Sequence, residues 1–76
     1  MTAVNYRHWA DQLFRQKNFE EALEDYSCAI KLDPENAHLY WYRAMTFKAL
    51  GRRDEGLADY VRAIELDMNY AFATFD

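Results

Sequence analysis

A chain of 76 residues holds one small domain, near the size at which a single core is marginally stable. Half of it is hydrophobic (51%), with only two Gly and one Pro, which argues against low-complexity disorder and loop-rich all-β folds. The formal charge of −4 supplies no basic stripe for nucleic acid, and no apolar run reaches the length of a membrane span. Cys28 is alone, so no intramolecular disulfide can form, and no stretch resembles a signal peptide. These features read as a soluble, cytoplasmic, helical domain.

The first predicted helix runs from Ala3 to about Gln16. Its apolar residues Tyr6, Trp9, Ala10 and Leu13 recur at three- and four-residue steps, and Thr2 is placed to cap it. Asn18 and Glu21 have the spacing of a capping box opening a second helix, with Phe19, Ala22, Leu23, Tyr26, Ala29 and Ile30 on one side. Glu20, Glu21, Glu24 and Asp25 crowd its first turns, where the positive end of the helix dipole favours acids. That helix must end near Leu32, because Pro34 cannot continue it. Asn36 is the expected cap of a third helix with the stripe Tyr40, Arg43, Ala44, Phe47 and Leu50, and Gly51 suits a left-handed terminus. A fourth helix begins at Arg53 or Asp54 and is expected to bury Leu57, Tyr60, Val61, Ala63, Ile64 and Leu66. Four helices with short connections make two antiparallel hairpins.

The hairpins are copies. FEEALEDYSCAIKLDP at 19–34 returns as RDEGLADYVRAIELDM at 53–68, a shift of 34 residues. The shift pairs Glu21 with Glu55, Leu23 with Leu57, Asp25 with Asp59 and Tyr26 with Tyr60. A fixed period of this length marks a repeat architecture. Small residues recur inside each pair, Ala10 and Ala22, then Ala44 and Gly56, as close helix approach requires. Arg43 falls on a buried stripe and therefore needs an acid, with Asp59 or Asp25 the candidates.

The small residue in each helix, Tyr26 and Tyr60, Ala29-Ile30 and Ala63-Ile64, and Leu32-Asp33-Pro34 at the exit together resemble the tetratricopeptide repeat family. The departures are Trp9 and Arg43, where the family usually has Leu, and Met68, where it has the exit proline. The resemblance implies an all-α array of tandem antiparallel hairpins, four helices plus a short or fused C-terminal helical segment. It divides the single domain 1–76 into repeats at 3–36 and 37–70 and a partial third repeat or capping segment at 71–76.

Nothing in the chain forms a catalytic or metal-binding set. There is no phosphate loop and no His or Cys pair at ligand spacing, and His8 and His38 lie on different helices. The chain reads as a non-enzyme that needs no cofactor, metal or small-molecule substrate. The family resemblance implies a concave groove lined by the first helix of each repeat. Helical spacing places Arg7, Asp11 and Phe14 there from one helix, and His38, Trp41, Tyr42, Met45 and Lys48 from the other. Trp, Tyr, Met and Arg dominate protein interfaces, so a protein or peptide is the expected partner.

The family's best-defined ligand mode is a two-carboxylate clamp built from Lys, Asn, Asn, Lys and Arg. The matching positions here are Arg7, Asp11, Tyr42, Phe72 and Asp76. Only one is basic, so the resemblance predicts groove binding without the clamp. The alternative is a structural element that forms a homodimer through Met68, Tyr70, Phe72 and Phe75, with the fourth helix running unbroken past Met68.

Overall fold

The computed structural model describes residues 1–72. Thr2 opens α1 (Ala3–Arg15) from an extended conformation, its hydroxyl accepting the Asn5 N–H at 3.3 Å. Asn5 Oδ1 accepts the Thr2 N–H in return at 3.0 Å, which completes a reciprocal cap. The helix ends by turning left-handed at Lys17 (φ 65°). Lys17 N–H bonds Phe14 O at 3.0 Å and Asn18 N–H bonds Leu13 O at 2.8 Å, the paired bonds of a Schellman terminus. α3 (Ala37–Ala49) ends identically one period later. Gly51 (φ 77°) bonds Lys48 O at 3.0 Å, and Arg52 bonds Phe47 O at 2.8 Å.

α2 (Phe19–Leu32) departs from the expected capping box. Asn18 makes no side-chain cap, because its backbone (φ −87°, ψ 68°) is held by the terminus of α1 rather than extended like Thr2. Its amide reaches Gln16 instead, at 3.4 Å. Asn36 does cap α3 as the sequence suggests, its Oδ1 accepting the His38 N–H at 3.1 Å.

α4 (Arg53–Leu66) takes the shorter of the two expected forms and does not run on past Met68. It stops at Leu66, with Asp67 extended (φ −149°, ψ 107°) and a short 3-10 turn over Met68–Phe72. The physical reason lies in Asp67. Its carboxylate accepts the Asn69 N–H at 3.0 Å and its carbonyl the Tyr70 N–H at 3.1 Å, so it caps the following turn and leaves the helix. One period earlier the Asp33 carbonyl likewise accepts the Asn36 N–H, at 3.3 Å, while its carboxylate takes the Asn36 side-chain Nδ2 at 3.0 Å. An aspartate stands at the helix end in both copies, and the second helix ends there without a proline.

The helices pack chiefly on their chain neighbours, α1 on α2, α2 on α3 and α3 on α4. The main cluster is Ala10, Ala22, Tyr26, Ala29, Ile30 and Leu39, with Tyr6, Leu13, Phe14, Tyr40 and Tyr42 against it. Ala44, Gly56 and Ala63 are buried in the second hairpin, which fits the close approach that the small-residue pattern requires. Burying side chains such as Ile30 and Leu39 contributes about 1.5–3 kcal/mol each. Arg43 finds its acid in Asp59, not Asp25. The guanidinium donates from Nε and Nη2 to the two carboxylate oxygens at 2.7 and 2.8 Å, and from Nη1 to Ser27 Oγ at 3.2 Å. One side chain therefore ties α2, α3 and α4.

Three expected core residues are exposed. Trp9 is 51% exposed, Leu57 37% and Val61 53%. Among the described residues no helix is long and apolar enough to cross a membrane.

Candidate binding groove

Stacking the two hairpins, through the contact of α2 with α3, brings Phe14 of α1 against Tyr42 of α3, with Arg7, Asp11 and His38 close by. Tyr42 is the hub. Its ring lies 4.5 Å from His38, 6.1 Å edge-on from Phe14 and 6.0 Å in a stack from Tyr26. The Tyr26 hydroxyl donates to the Asp11 carboxylate. Burial, and then that bond to an anion, push the Tyr26 phenol far up, so it remains a proton donor throughout the working range. Burial pushes His38 down, against the pull of Asp11 and with a small contribution from Arg7, which keeps the ring neutral at pH 7. Arg7 is half-buried alongside, its Nε enclosed with no hydrogen-bond partner among the described residues.

Trp41 belongs to a different group. It meets Tyr60 of α4 and Tyr70 of the 3-10 turn, each with centroids 5.6 Å apart. Met45 and Lys48 follow on α3, both half-buried. Beside Tyr70 an open depression of about 490 Å³ lies between the exits of the two hairpins, lined by Asp33, Glu35, His38, Leu66 and Asp67 among others. Of the residues expected to self-associate, Met68 and Phe72 are exposed, Phe72 by 90%, while Tyr70 is half-buried against Trp41. Phe75 lies outside the described residues, as does Asp76 of the clamp positions.

Sequence reasoning missed Tyr26 as the donor to Asp11 and Tyr60 as a neighbour of Trp41. Their recurrence at one repeat position was the available signal: a buried tyrosine ring still has a hydroxyl to satisfy. Among the described residues no three His, Cys, Asp or Glu side chains converge as a metal site.

Two helical hairpins of matching termini, repeated at a fixed period and joined through α2 and α3, define a helical repeat protein. The sequence matches the TPR repeat over residues 10–51 and the tetratricopeptide repeat over 37–70, and the chain belongs to that family. It is similar to the DnaJ homolog subfamily C member 7 homolog of Schizosaccharomyces pombe, at 39% identity over 70 residues, covering 87% of this chain and 15% of that protein. It is also similar to Hsp70-Hsp90 organizing protein 1 of Glycine max, at 38% over 65 residues, 86% of this chain and 11% of the relative. Human serine/threonine-protein phosphatase 5 matches at 39% over 61 residues, 80% of this chain and 12% of the relative. The chain thus spans less than a sixth of the length of these relatives. It is a protein–protein interaction module, built on a non-catalytic repeat fold.

Proposed function

We propose that this module acts as one domain of two repeats, 3–36 and 37–70, with the start of a third, and holds a peptide segment of a partner protein in the α1–α3 groove. The observation that carries this reading is the half-buried aromatic and sulfur surface on α3, Trp41, Tyr42 and Met45, with Tyr42 meeting Phe14 of α1 across the two hairpins. Arg7, Asp11, Phe14, His38 and Lys48 border it. The binding mode is not a carboxylate clamp: Asp11 is anionic and Tyr42 and Phe72 are aromatic at three of the clamp positions, which disfavours a ligand carboxylate. Relatives named for organizing Hsp70 and Hsp90 support a co-chaperone-like setting, and with it a cytoplasmic one.

Selection of a random displayed peptide library on the chain tests the groove. Enriched peptides should lose at least tenfold in affinity on Trp41→Ala combined with Met45→Ala, and should be indifferent to Val61→Ser on the outer face. Peptides that depend on Val61 and not on Trp41 would overturn the reading. A second reading, self-association, is favoured by the exposure of Val61, Met68 and Phe72. Light scattering across concentration decides it: a dimer lost on Phe72→Ser supports assembly, and a strict monomer at all concentrations removes it.

A further inference from the structure

The depression between the hairpin exits has a wall, a charge and an opening that together select one ligand chemistry. Tyr70 forms one side, backed by Trp41 at 5.6 Å, which is backed in turn by Tyr60 at 5.6 Å. Aromatic faces attract cations and not anions. Asp33 comes from the end of α2, Glu35 from the following turn and Asp67 from the end of α4. No lysine or arginine is among the described residues that line the space.

The carboxylates are held but not neutralised. Asp33 Oδ2 accepts Asn36 Nδ2 and Asp67 Oδ1 accepts the Asn69 N–H, both at 3.0 Å, and each keeps its other oxygen for a ligand. The start of α3 also borders the depression, and its dipole has the opposite sign. That end amounts to roughly half a positive charge, against three carboxylates, and Asn36 Oδ1 already occupies the His38 N–H. His38 adds no charge at neutral pH, because burial holds it neutral. A volume of about 490 Å³ admits a side chain as long as arginine's. The net charge of −4 steers cations toward the chain.

We infer that this depression receives the cationic side chain of a lysine or arginine in the bound segment, seated between the Tyr70–Trp41 wall and the carboxylates of Asp33, Glu35 and Asp67. The inference rests on the groove reading and adds to it the charge of the ligand. The partner segment is basic where the family's clamp ligands are acidic.

The test is an NMR titration of the isotope-labelled chain with Nα-acetyl-arginine amide, and with Nα-acetyl-glutamate amide as the control. The arginine probe should shift the Trp41 indole and the Tyr70 and Asp67 amides saturably, and the glutamate probe should leave them in place. Glu35→Gln with Asp67→Asn should weaken the arginine probe about fivefold, the loss of two exposed ion pairs. Tyr70→Leu should weaken it about threefold, the loss of one ring face. Circular dichroism confirms that each variant is folded. Equal shifts from both probes, or no weakening in the folded charge variant, would overturn the inference. If groove-dependent peptides are selected without any preference for Lys or Arg, this inference fails and the groove reading stands. If the arginine probe docks here while no selected peptide depends on Trp41, the groove reading fails alone.

Discussion

Arg43→Met removes the charge that ties three helices while keeping a side chain of similar length beside Tyr40 and Phe47, whose rings the guanidinium approaches at 5.8 Å. Asp59 would be left with its carboxylate inside the stack. Breaking a fully buried pair from one side costs about 3–5 kcal/mol, while an exposed pair is worth less than about 1 kcal/mol. The Asp59 side chain is 8% exposed and that of Arg43 22%, so the acid sits near the buried limit and water reaches only its partner. We expect a loss of about 2–3 kcal/mol, between those limits. A 76-residue domain has about 4–11 kcal/mol in all, so the variant is crippled but foldable. Its melting temperature should fall by about 10–20 °C. Urea and thermal unfolding followed by circular dichroism measure the change. Arg43→Met with Asp59→Leu should recover most of the loss, since both charges then leave together. A single variant within about 0.5 kcal/mol of the parent, or a double variant as unstable as the two singles summed, would refute the reasoning.

Lys17→Gly should stabilise the chain by about 0.5–1 kcal/mol, because Lys17 holds a left-handed conformation that glycine adopts without strain. Gly51→Ala should cost about 1 kcal/mol through backbone strain alone, since a Cβ there meets nothing within 4 Å. Both are read from thermal melts, and two changes of the same sign would contradict the helix-end assignment. Burial, and then Glu24 and Glu21, raise the Asp25 carboxyl above its ordinary value, so the folded chain binds that proton more tightly than the unfolded one. Ionising Asp25 therefore costs stability as pH rises from the ordinary aspartate value through the raised one. Asp25→Asn should raise the melting temperature at pH 7 and leave it unchanged at pH 3, and no difference at pH 7 would refute this. Met68→Pro should leave the helical circular dichroism intact, because α4 has already ended at Asp67 and Met68 opens the next turn, where proline is favoured. A fall in helicity would restore the continuous-helix alternative.

Features set by short-range chemistry were readable from the residues. Thr2 and Asn36 cap their helices, Gly51 takes the left-handed position, and Arg43 meets an acid from the next helix, all as spacing and residue type imply. Lys17 shows why other ends were hidden. Nothing in a lysine announces a positive φ, and only its pairing with Gly51 across the period marks the site. Asn18 misled because asparagine serves both as a helix cap and as the residue after a left-handed turn, and its backbone went to the second use. At α4 the absent proline drew attention from Asp67, whose bonds to the following backbone end the helix. Helical spacing put Phe14, His38 and Tyr42 on one face, and their rings do meet. The separate grouping of Trp41 with Tyr60 and Tyr70 depends on how α3 packs on α4 and on the turn that follows, which no local pattern encodes. Leu57 and Val61 carry the same core pattern as Leu23, yet they are exposed, because α2 packs on two helices and α4 on α3 and a short turn.

Packing of each helix mainly on its chain neighbours has a consequence for how the molecule comes apart. In such an array, stability is close to a sum of hairpin terms and the joints between them. Here the joint is the contact of α2 with α3, crossed by the Tyr26–Tyr42 stack and the bond from Arg43 to Ser27. Weakening that joint should not lower one melting curve uniformly. It should uncouple the hairpins, so that amide exchange in α1 and α2 no longer tracks exchange in α3 and α4. Cooperativity in this chain is thus a local property of one seam, held by two tyrosines and an arginine.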